Sequence, residues 1–174
     1  MPDFSKIKAF AFDVDGVFTD GSILCVPDGE LYRTFDAKDC FGIRMAKMNG
    51  YPCAVITGAS SETIVPRFLT MGLKEEDIYL HSRDKSVDFI DFCKKNKLNP
   101  EDIAYFGDDM PDIPVLKLAG IGICPSDAAD DVKAVADFVS PLPGGKGLVR
   151  KTLEMIMKSQ GRWNLDIAEY KAKF

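Results

Sequence analysis

The sequence has no excess of basic residues: 22 lysines and arginines stand against 27 aspartates and glutamates, for a formal net charge of -5. A general nucleic-acid binder needs surplus positive charge to neutralise phosphates, so we expect no nucleic-acid partner. The same balance argues against an anionic membrane surface. A small anionic substrate remains compatible with it, because a local cation can hold such a molecule.

Long apolar runs are also missing. No stretch approaches the roughly 18 consecutive apolar residues that cross a bilayer. The start, MPDFSKIKAF, lacks the charged and apolar regions of an export signal. The five cysteines have neither the spacing of a disulfide framework nor that of a zinc site. We therefore expect reduced, mostly buried thiols and a cytoplasmic protein without a membrane partner.

At 174 residues the chain is long enough for a substantial core, and we predict a single domain over residues 1–174 with a less regular tail from about 161 to 174. Short apolar runs alternate with amphipathic segments. This alternation predicts an α/β fold, a Rossmann-like, doubly wound, mostly parallel sheet. The predicted strands are 8–14, 51–58, 77–82, 102–109, 120–125 and 137–140, and the predicted helices are 38–49, 62–71, 85–96, 112–118, 128–136 and 148–159.

Residues 21–35 interrupt this alternation. The sequence GSILCVPDGELYRTF predicts a β-hairpin inserted after the first strand, with PDGE as its turn, because proline favours the first corner and glycine tolerates positive φ. One face of the hairpin is apolar and has no obvious partner in the main sheet. That face packs either on another subunit or on its own domain. Its residues are Ile23, Cys25 or Val26, and Leu31.

Polar side chains follow several predicted strands at the point where each strand ends. In open parallel sheets, ligands bind outside the carboxyl ends of the strands, so we expect these side chains to converge on one edge. They are Asp13 and Asp15 after the first strand, Thr57 and Gly58 after the second, Lys85 at the start of the helix after the third, and Asp108, Asp109 and Asp112 after the fourth.

A carboxylate cluster this dense repels itself in a partly dry site unless protons or a cation neutralise it. Oxygen ligands without a neighbouring histidine or cysteine suit Mg²⁺, which binds one or two carboxylates together with a phosphate. A remaining aspartate can attack phosphorus, while Thr57 and the ammonium group of Lys85 can hold phosphoryl oxygens. Each motif alone is weak, but their order along the chain predicts Mg²⁺-dependent phosphoryl transfer. The single histidine, His81, fits a loop or substrate-rim position better than a metal ligand.

The segments DVDGVFTDG, VITG, Lys85 and GDDMPD resemble the four motifs of the haloacid dehalogenase superfamily of phosphatases. The hairpin, FDAKDCFGIRMAKMNG and PGGKGLVRKTLEMIMKSQG extend the resemblance over nearly the whole chain. They are similar to the capless subgroup that hydrolyses 3-deoxy-D-manno-octulosonate 8-phosphate, an eight-carbon sugar-acid phosphate of lipopolysaccharide precursor synthesis. The resemblance implies that no cap domain is present. It also implies a homotetramer whose hairpins meet at the centre and whose neighbouring subunits help to close each active site.

The resemblance also implies a role for each site residue. Asp13 would be the nucleophile that forms an aspartyl-phosphate, and Asp15 would protonate the leaving oxygen and then deprotonate the hydrolytic water. Thr57, Gly58 and Lys85 would bind the phosphoryl group. The implied Mg²⁺ ligands are the side chains of Asp13 and Asp108 and the backbone carbonyl of Asp15, and the implied supports of metal-bound waters or of Lys85 are Asp109 and Asp112.

One position departs from the pattern of the subgroup. Many relatives carry a basic residue directly after the TG of the second motif, where this chain has Ala59. A substrate carboxylate therefore needs another cation, and Arg67 on the following helix is the first candidate, ahead of Arg44 and Lys146. The departure keeps open a nine-carbon, sialic-acid-type sugar (KDN or Neu5Ac) 9-phosphate as the alternative substrate.

Two further functions remain open at this point. A receiver-like signalling module also surrounds a phospho-accepting aspartate with Mg²⁺, a threonine and a lysine. In such modules the acceptor lies on a later strand than the acidic pair, whereas here the pair opens the chain, and this chain adds a hairpin and a tail. The other alternative is a binding protein on an inactive phosphatase frame, which the full set of carboxylates disfavours.

Overall fold

Six strands pair in parallel to form one sheet in the computed structural model, which describes residues 2–27, 29–61 and 63–174. Its order is β5-β4-β1-β6-β7-β8, and the other two strands, β2 and β3, form a separate antiparallel pair. The α/β prediction is confirmed, with every pairing of the main sheet parallel. The strands are β1 (Ala9–Phe12), β2 (Leu24–Cys25), β3 (Leu31–Tyr32), β4 (Cys53–Ile56), β5 (Ile78–Tyr79), β6 (Ile103–Phe106), β7 (Ile121–Cys124) and β8 (Phe138–Val139).

Helices cover both faces of the sheet. All four residues of β1 are buried, and alternate ones belong to two different apolar clusters, Phe10 and Phe12 on one face and Ala9 and Ala11 on the other. A strand buried on both sides reads as a continuous apolar run, which is why the sequence pattern predicts it. The helices are α1 (Ala37–Met48), α2 (Ile64–Leu69), α3 (Lys85–Asn96), α4 (Ile113–Leu118), α5 (Asp130–Lys133), α6 (Leu148–Ser159) and α7 (Ile167–Lys173).

Each predicted strand and helix has its counterpart, and the bounds of α3 and α6 agree with the predicted ranges. The helix predicted from residue 62 is shorter, and its first residue lies outside the described residues. The tail differs from the expectation, because it contains the regular helix α7. Its Tyr170 ring lies 5.7 Å from the ring of Phe41 on α1 and its hydroxyl accepts a hydrogen bond from Arg44 Nη1. Tertiary contacts thus stabilise a helix that its sequence pattern does not indicate.

The chain crosses the sheet in two directions from β1. It passes to β4 and β5 on one side and then to β6, β7 and β8 on the other. In an open parallel sheet this reversal leaves a crevice at the carboxyl ends of the strands flanking the switch point. The predicted site residues lie directly after β1, β4 and β6, so the topology brings them to that crevice.

The predicted hairpin is also confirmed by the pairing of β2 with β3, while Asp28 of its predicted PDGE turn lies outside the described residues. Leu24 pairs with Tyr32 and Cys25 with Leu31, in a two-stranded sheet outside the main one. Leu24 is 64% exposed and Tyr32 is 47% exposed, so the described part of the chain leaves this apolar pair largely uncovered. Between β1 and α1 the described residues contain no other inserted element, and no cap domain is evident.

Among the described residues, no helix combines the length and the apolar character needed to cross a membrane. All five cysteines are free thiols, with Cys25 exposed and the other four buried. Burial raises the pKa of the Cys53 thiol to about 12 and that of Cys93 to about 11.

The glycine pair Gly144 and Gly145 packs directly on the loop that follows β1. The N–H of Gly145 donates to the carbonyl of Val17 at 3.0 Å. A Cβ atom added at Gly144 would lie 1.9 Å from the carbonyl oxygen of Gly16. The two backbones therefore approach too closely for any side chain, and the glycines fix the loop that carries Asp15.

We expect Gly144→Ala to lower the free energy of unfolding by about 2–4 kcal/mol, because its methyl group meets backbone that cannot move aside. Urea denaturation followed by circular dichroism measures this loss. Gly161→Ala is the comparison: a Cβ there meets nothing within 4 Å, and its φ of +67° alone costs roughly 1 kcal/mol. Equal losses in the two variants would contradict the close packing.

Candidate active site

A cavity of about 420 Å³ opens at the carboxyl edge of the sheet. The site residues predicted from sequence line it, except for Arg67 and its two alternatives, Arg44 and Lys146. The structure therefore assembles the separate motifs into one place. The predicted residues in its lining are Asp13, Asp15, Thr57, Gly58, Lys85, Asp108, Asp109 and Asp112.

Lys85 joins two of the carboxylates. Its Nζ lies 3.1 Å from Oδ2 of Asp13 and 2.7 Å from Oδ1 of Asp112, and all three residues are buried. The residue is the first of α3, whose N-cap is Asp84. Burial lowers the pKa of Lys85, but the charges of Asp13 and then Asp112 outweigh burial and raise it. Lys85 thus remains a cation beside the candidate nucleophile.

Asp112 acts as the anchor of this network. Its Oδ1 accepts from Lys85 Nζ and, at 2.6 Å, from the hydroxyl of Tyr105, while its Oδ2 accepts the backbone N–H groups of Asp108 and Asp109. Four donors leave this carboxylate committed to orienting its neighbours. Sequence reasoning missed Tyr105, whose one signal is a hydroxyl inside the buried strand β6.

Three carboxylates meet closely enough to share a cation. Oxygen atoms of Asp13, Asp108 and Asp112 lie within 4.8 Å of one another. Burial, followed by the charges of the neighbouring aspartates, raises the pKa of Asp13 to about 7 and that of Asp108 to about 8. Without a counter-ion Asp13 and Asp108 therefore retain protons near neutral pH. A divalent cation relieves the same repulsion.

Glycine at position 16 makes room at this cluster. Its φ is +82°, and an added Cβ would lie 1.9 Å from Oδ2 of Asp108. The backbone just after Asp15 therefore borders the Asp108 carboxylate directly. Carboxylate and backbone carbonyl oxygens without nitrogen or sulfur ligands fit Mg²⁺.

These pKa shifts predict how the stability of the metal-free protein depends on pH. Asp13 and Asp108 bind protons more tightly when folded than when unfolded, so the folded state loses stability as pH rises from about 4 through 7 and 8. We expect the melting temperature in a chelator to be lower at pH 8.5 than at pH 6, by roughly 5 °C or more. Added Mg²⁺ is expected to remove most of this difference. A chelated protein that is equally stable or more stable at pH 8.5 would contradict the prediction, and differential scanning fluorimetry measures it.

Asp15 is held by an arginine of the hairpin. Arg33 places Nε 2.6 Å from Oδ1 and Nη2 2.9 Å from Oδ2 of Asp15, and the Arg33 side chain is only 3% exposed. This two-point contact fixes the plane of the carboxylate. Sequence reasoning missed Arg33, because the register that returns β3 towards the site depends on the turn and on the packing of the hairpin.

The loop after β4 is tied to the loop before α3. The N–H of Ser82 donates to the carbonyl of Thr57, and that of His81 to the carbonyl of Ala59, each at 3.0 Å. Thr57 Oγ1 accepts the N–H of Ala59 at 3.2 Å. The two loops therefore form one wall of the cavity. His81 lies in the second of these loops, is exposed and has a φ of 55°.

The structure does not bring Arg67 into the cavity. Its Nη2 lies 2.8 Å from Sγ of Cys40, and its guanidinium lies 5.9 Å from the centre of the Phe35 ring. Arg44 donates to Tyr170 and Lys146 faces Asp20 at 3.6 Å, so neither of these lines the cavity either. The cavity therefore gives no support to the expectation that Arg67 binds the substrate carboxylate. The arginine in the lining is Arg83, two residues before Lys85.

Comparison with known proteins finds relatives over most of the chain. Residues 45–150 match the family model of haloacid dehalogenase-like hydrolases. The chain is 33% identical over 162 residues to the 3-deoxy-D-manno-octulosonate 8-phosphate phosphatase of Escherichia coli strain B, a match that covers 93% of this chain and 85% of that protein.

Solved structures give the same result. The 3-deoxy-D-manno-octulosonate 8-phosphate phosphatase of Moraxella catarrhalis, solved with magnesium, phosphate and KDO (3-deoxy-D-manno-octulosonate), superposes with a TM-score of 0.88 at 33% identity, over 96% of this chain and 95% of that one. The enzyme of the same name from Yersinia pestis has a TM-score of 0.88 at 31% identity, over 92% and 85% of the two chains.

Proposed function

This chain belongs to the haloacid dehalogenase-like hydrolases, and on that premise we propose that it is a Mg²⁺-dependent phosphatase of a sugar-acid phosphomonoester. The substrate we propose is 3-deoxy-D-manno-octulosonate 8-phosphate. Two proteins similar to this chain are named as phosphatases of that compound. The single observation that carries the proposal is the buried contact of Lys85 with Asp13 beside Asp108. By this proposal the reaction belongs to lipopolysaccharide precursor synthesis. The cytoplasmic location of the protein stays a prediction.

In the proposed first step, a carboxylate oxygen of Asp13 attacks phosphorus in line with the ester oxygen. The new bond gives an aspartyl-phosphate, the bond to the sugar oxygen breaks, and Asp15 donates a proton to that oxygen. Lys85, already 3.1 Å from Asp13, neutralises charge on the transferred phosphoryl group. Thr57 and the backbone of Gly58 line the cavity wall on which its oxygens bind.

In the second step, Asp15 removes a proton from water as the water oxygen attacks phosphorus. The Asp13–phosphorus bond breaks, inorganic phosphate leaves and the Asp13 carboxylate is restored. Arg33 orients Asp15 in both steps through its two hydrogen bonds.

The side chains of Asp13 and Asp108 and the carbonyl oxygen of Asp15 are the proposed Mg²⁺ ligands. The ion supplies neutralisation of the carboxylates and of the phosphoryl charge. Asp112 holds Lys85 and the backbone around Asp108 in place. Asp109, which is exposed and accepts the N–H of Met110, is free to hold a metal-bound water.

A panel of phosphomonoesters with Mg²⁺ tests the substrate. We expect the kcat/KM for the eight-carbon 8-phosphate to exceed that for the nine-carbon, sialic-acid-type 9-phosphate and for a pentose 5-phosphate, each by at least about tenfold. A reversed order between the two acids would assign the nine-carbon alternative. Failure to hydrolyse any member would contradict phosphatase function itself.

We also propose that the hairpin forms a subunit contact in a homotetramer. The exposed pair Leu24 and Tyr32, with Ile23 beside it, is an apolar surface that monomers rarely leave in water. Light scattering tests this proposal. A mass of four chains that Leu24→Lys reduces would support it, and a monomer at micromolar concentration would contradict it.

A further inference from the structure

Arg83 differs from the other arginines in having no partner among the residues that the structure describes. Arg33, Arg44, Arg67, Arg150 and Arg162 all contact acidic, polar or aromatic groups of the described residues. Arg83 is exposed and forms no ion pair within this part of the chain. It nevertheless lines the cavity that holds the acidic cluster.

The side chain of Arg83 extends beside the loop that follows β4. A Cβ added at Gly58 would lie 3.8 Å from Nη1 of Arg83, so the guanidinium lies against the loop after β4. Ala59, the next residue, adds no charge there. The backbone bonds of His81 and Ser82 hold Arg83 at this wall, and Asp84 after it is extended, with φ -121°.

Lys85 and Arg83, the two cationic residues in the described lining, differ in burial. Residues two apart in extended backbone are separated by about 6.5 Å, and Lys85 is buried while Arg83 is exposed. Lys85 is occupied by Asp13 and Asp112. An anionic substrate whose phosphate reaches Asp13 thus meets five carboxylates in the lining and one uncommitted cation at the mouth.

We infer that Arg83 binds the carboxylate of the substrate at the mouth of the cavity and so selects sugar-acid phosphates over neutral sugar phosphates. The inference rests on the proposed function, since it concerns the second anionic group of that substrate. A guanidinium matches a carboxylate with two parallel hydrogen bonds. No other arginine or lysine in the described lining is free for this role, since Lys85 is held by two aspartates.

The test compares Arg83→Gln and Arg83→Lys with Arg67→Gln, the same change at an arginine outside the cavity. Each variant is assayed with Mg²⁺ on 3-deoxy-D-manno-octulosonate 8-phosphate and on a pentose 5-phosphate, which lacks a carboxylate. We expect Arg83→Gln to lower kcat/KM for the acid about 10- to 100-fold, mostly through KM. That loss should be at least about tenfold larger than the loss for the pentose phosphate. Arg83→Lys should recover part of the preference, and Arg67→Gln should keep it.

Calorimetric titration with free 3-deoxy-D-manno-octulosonate, in the presence of Mg²⁺, gives a readout independent of turnover, and Arg83→Gln should weaken this binding about tenfold or more. Equal losses for both substrates, or unchanged acid binding in Arg83→Gln, would overturn the inference. If the wild-type protein prefers the acid and Arg83→Gln keeps that preference, the inferred role of Arg83 is wrong, but the proposed substrate class stands. If the wild-type protein shows no preference for the acid, the proposed substrate class fails as well.

Discussion

Replacing Asp13 by asparagine is expected to lower kcat by at least about 10⁴-fold, since the amide is not a nucleophile and no neighbouring carboxylate can take its place. Asp15 is oriented by Arg33 and is the carboxylate to which the proposed steps assign proton transfer. Asp112 already accepts four hydrogen bonds, including that of Lys85. Lys85 contacts both Asp13 and Asp112, and of these two Asp112 is the one already engaged by four donors.

The Asp13→Asn variant should remain folded. The asparagine side chain would keep an oxygen near Lys85, and losing the charge removes repulsion from Asp112, which contributes to the raised pKa of Asp13. In the presence of a chelator, we expect the melting temperature of this variant to equal or exceed that of the wild-type protein. Turnover is measured on the same samples. Residual activity above about 1% of wild type would contradict the assignment of the nucleophile.

Asp15→Asn provides the matched control, because it should separate the two steps of the reaction. With an activated aryl phosphate, whose leaving group needs little protonation, Asp13 can still be phosphorylated. The second step, in which Asp15 removes a proton from water, should then become slow. We expect a phosphate adduct on Asp13 in the mass spectrum of acid-quenched Asp15→Asn and none in Asp13→Asn. An adduct on another residue would place the nucleophile elsewhere.

The sequence allowed the placement of Asp13, Lys85 and Asp108 because two simple patterns determine it. Apolar runs locate the strands, and parallel strands end at a common edge, so residues after them converge. Lys85 was found at a helix start for the same reason, as α3 begins at that residue. These placements need no knowledge of side-chain packing.

The partners of those residues could not be predicted in this way. Arg33 reaches Asp15 because the chain after β3 returns to the loop that follows β1. The register of a hairpin depends on its turn. Arg67 is on the predicted helix, but packing turns its guanidinium to Cys40 and Phe35. The position of Arg83 could have been inferred from the sequence, since it lies two residues before Lys85, which sequence reasoning assigns to the site.

We expect Lys85→Met to lower both the free energy of unfolding and the rate of turnover. The side chain of Lys85 is 5% exposed and lies between two buried carboxylates. Its removal leaves Asp13 and Asp112 buried without a cation, which costs about 3–5 kcal/mol in comparable buried pairs. Turnover should fall at least about 10³-fold, because the transferred phosphoryl group loses its lysine.

Lys95→Met is the matched control on the same helix. Lys95 pairs with Asp91 at 2.7 Å, but its side chain is 42% exposed, so we expect a loss of at most about 1 kcal/mol. Urea denaturation at pH 8 in chelator measures both variants. A loss in Lys85→Met no larger than in Lys95→Met would contradict a buried, structurally important lysine.

The double variant Lys85→Met, Asp112→Asn distinguishes the two roles of this lysine. Removing the charge of Asp112 should recover part of the lost stability, because one fewer anion remains buried. Lowering the pH to 6 should have a similar effect on Lys85→Met, since burial and like charges already raise the pKa of Asp13 to about 7. Neither change restores a cation beside the phosphoryl group, so turnover should stay low. Recovery of both stability and turnover would mean that Lys85 acts through the fold alone.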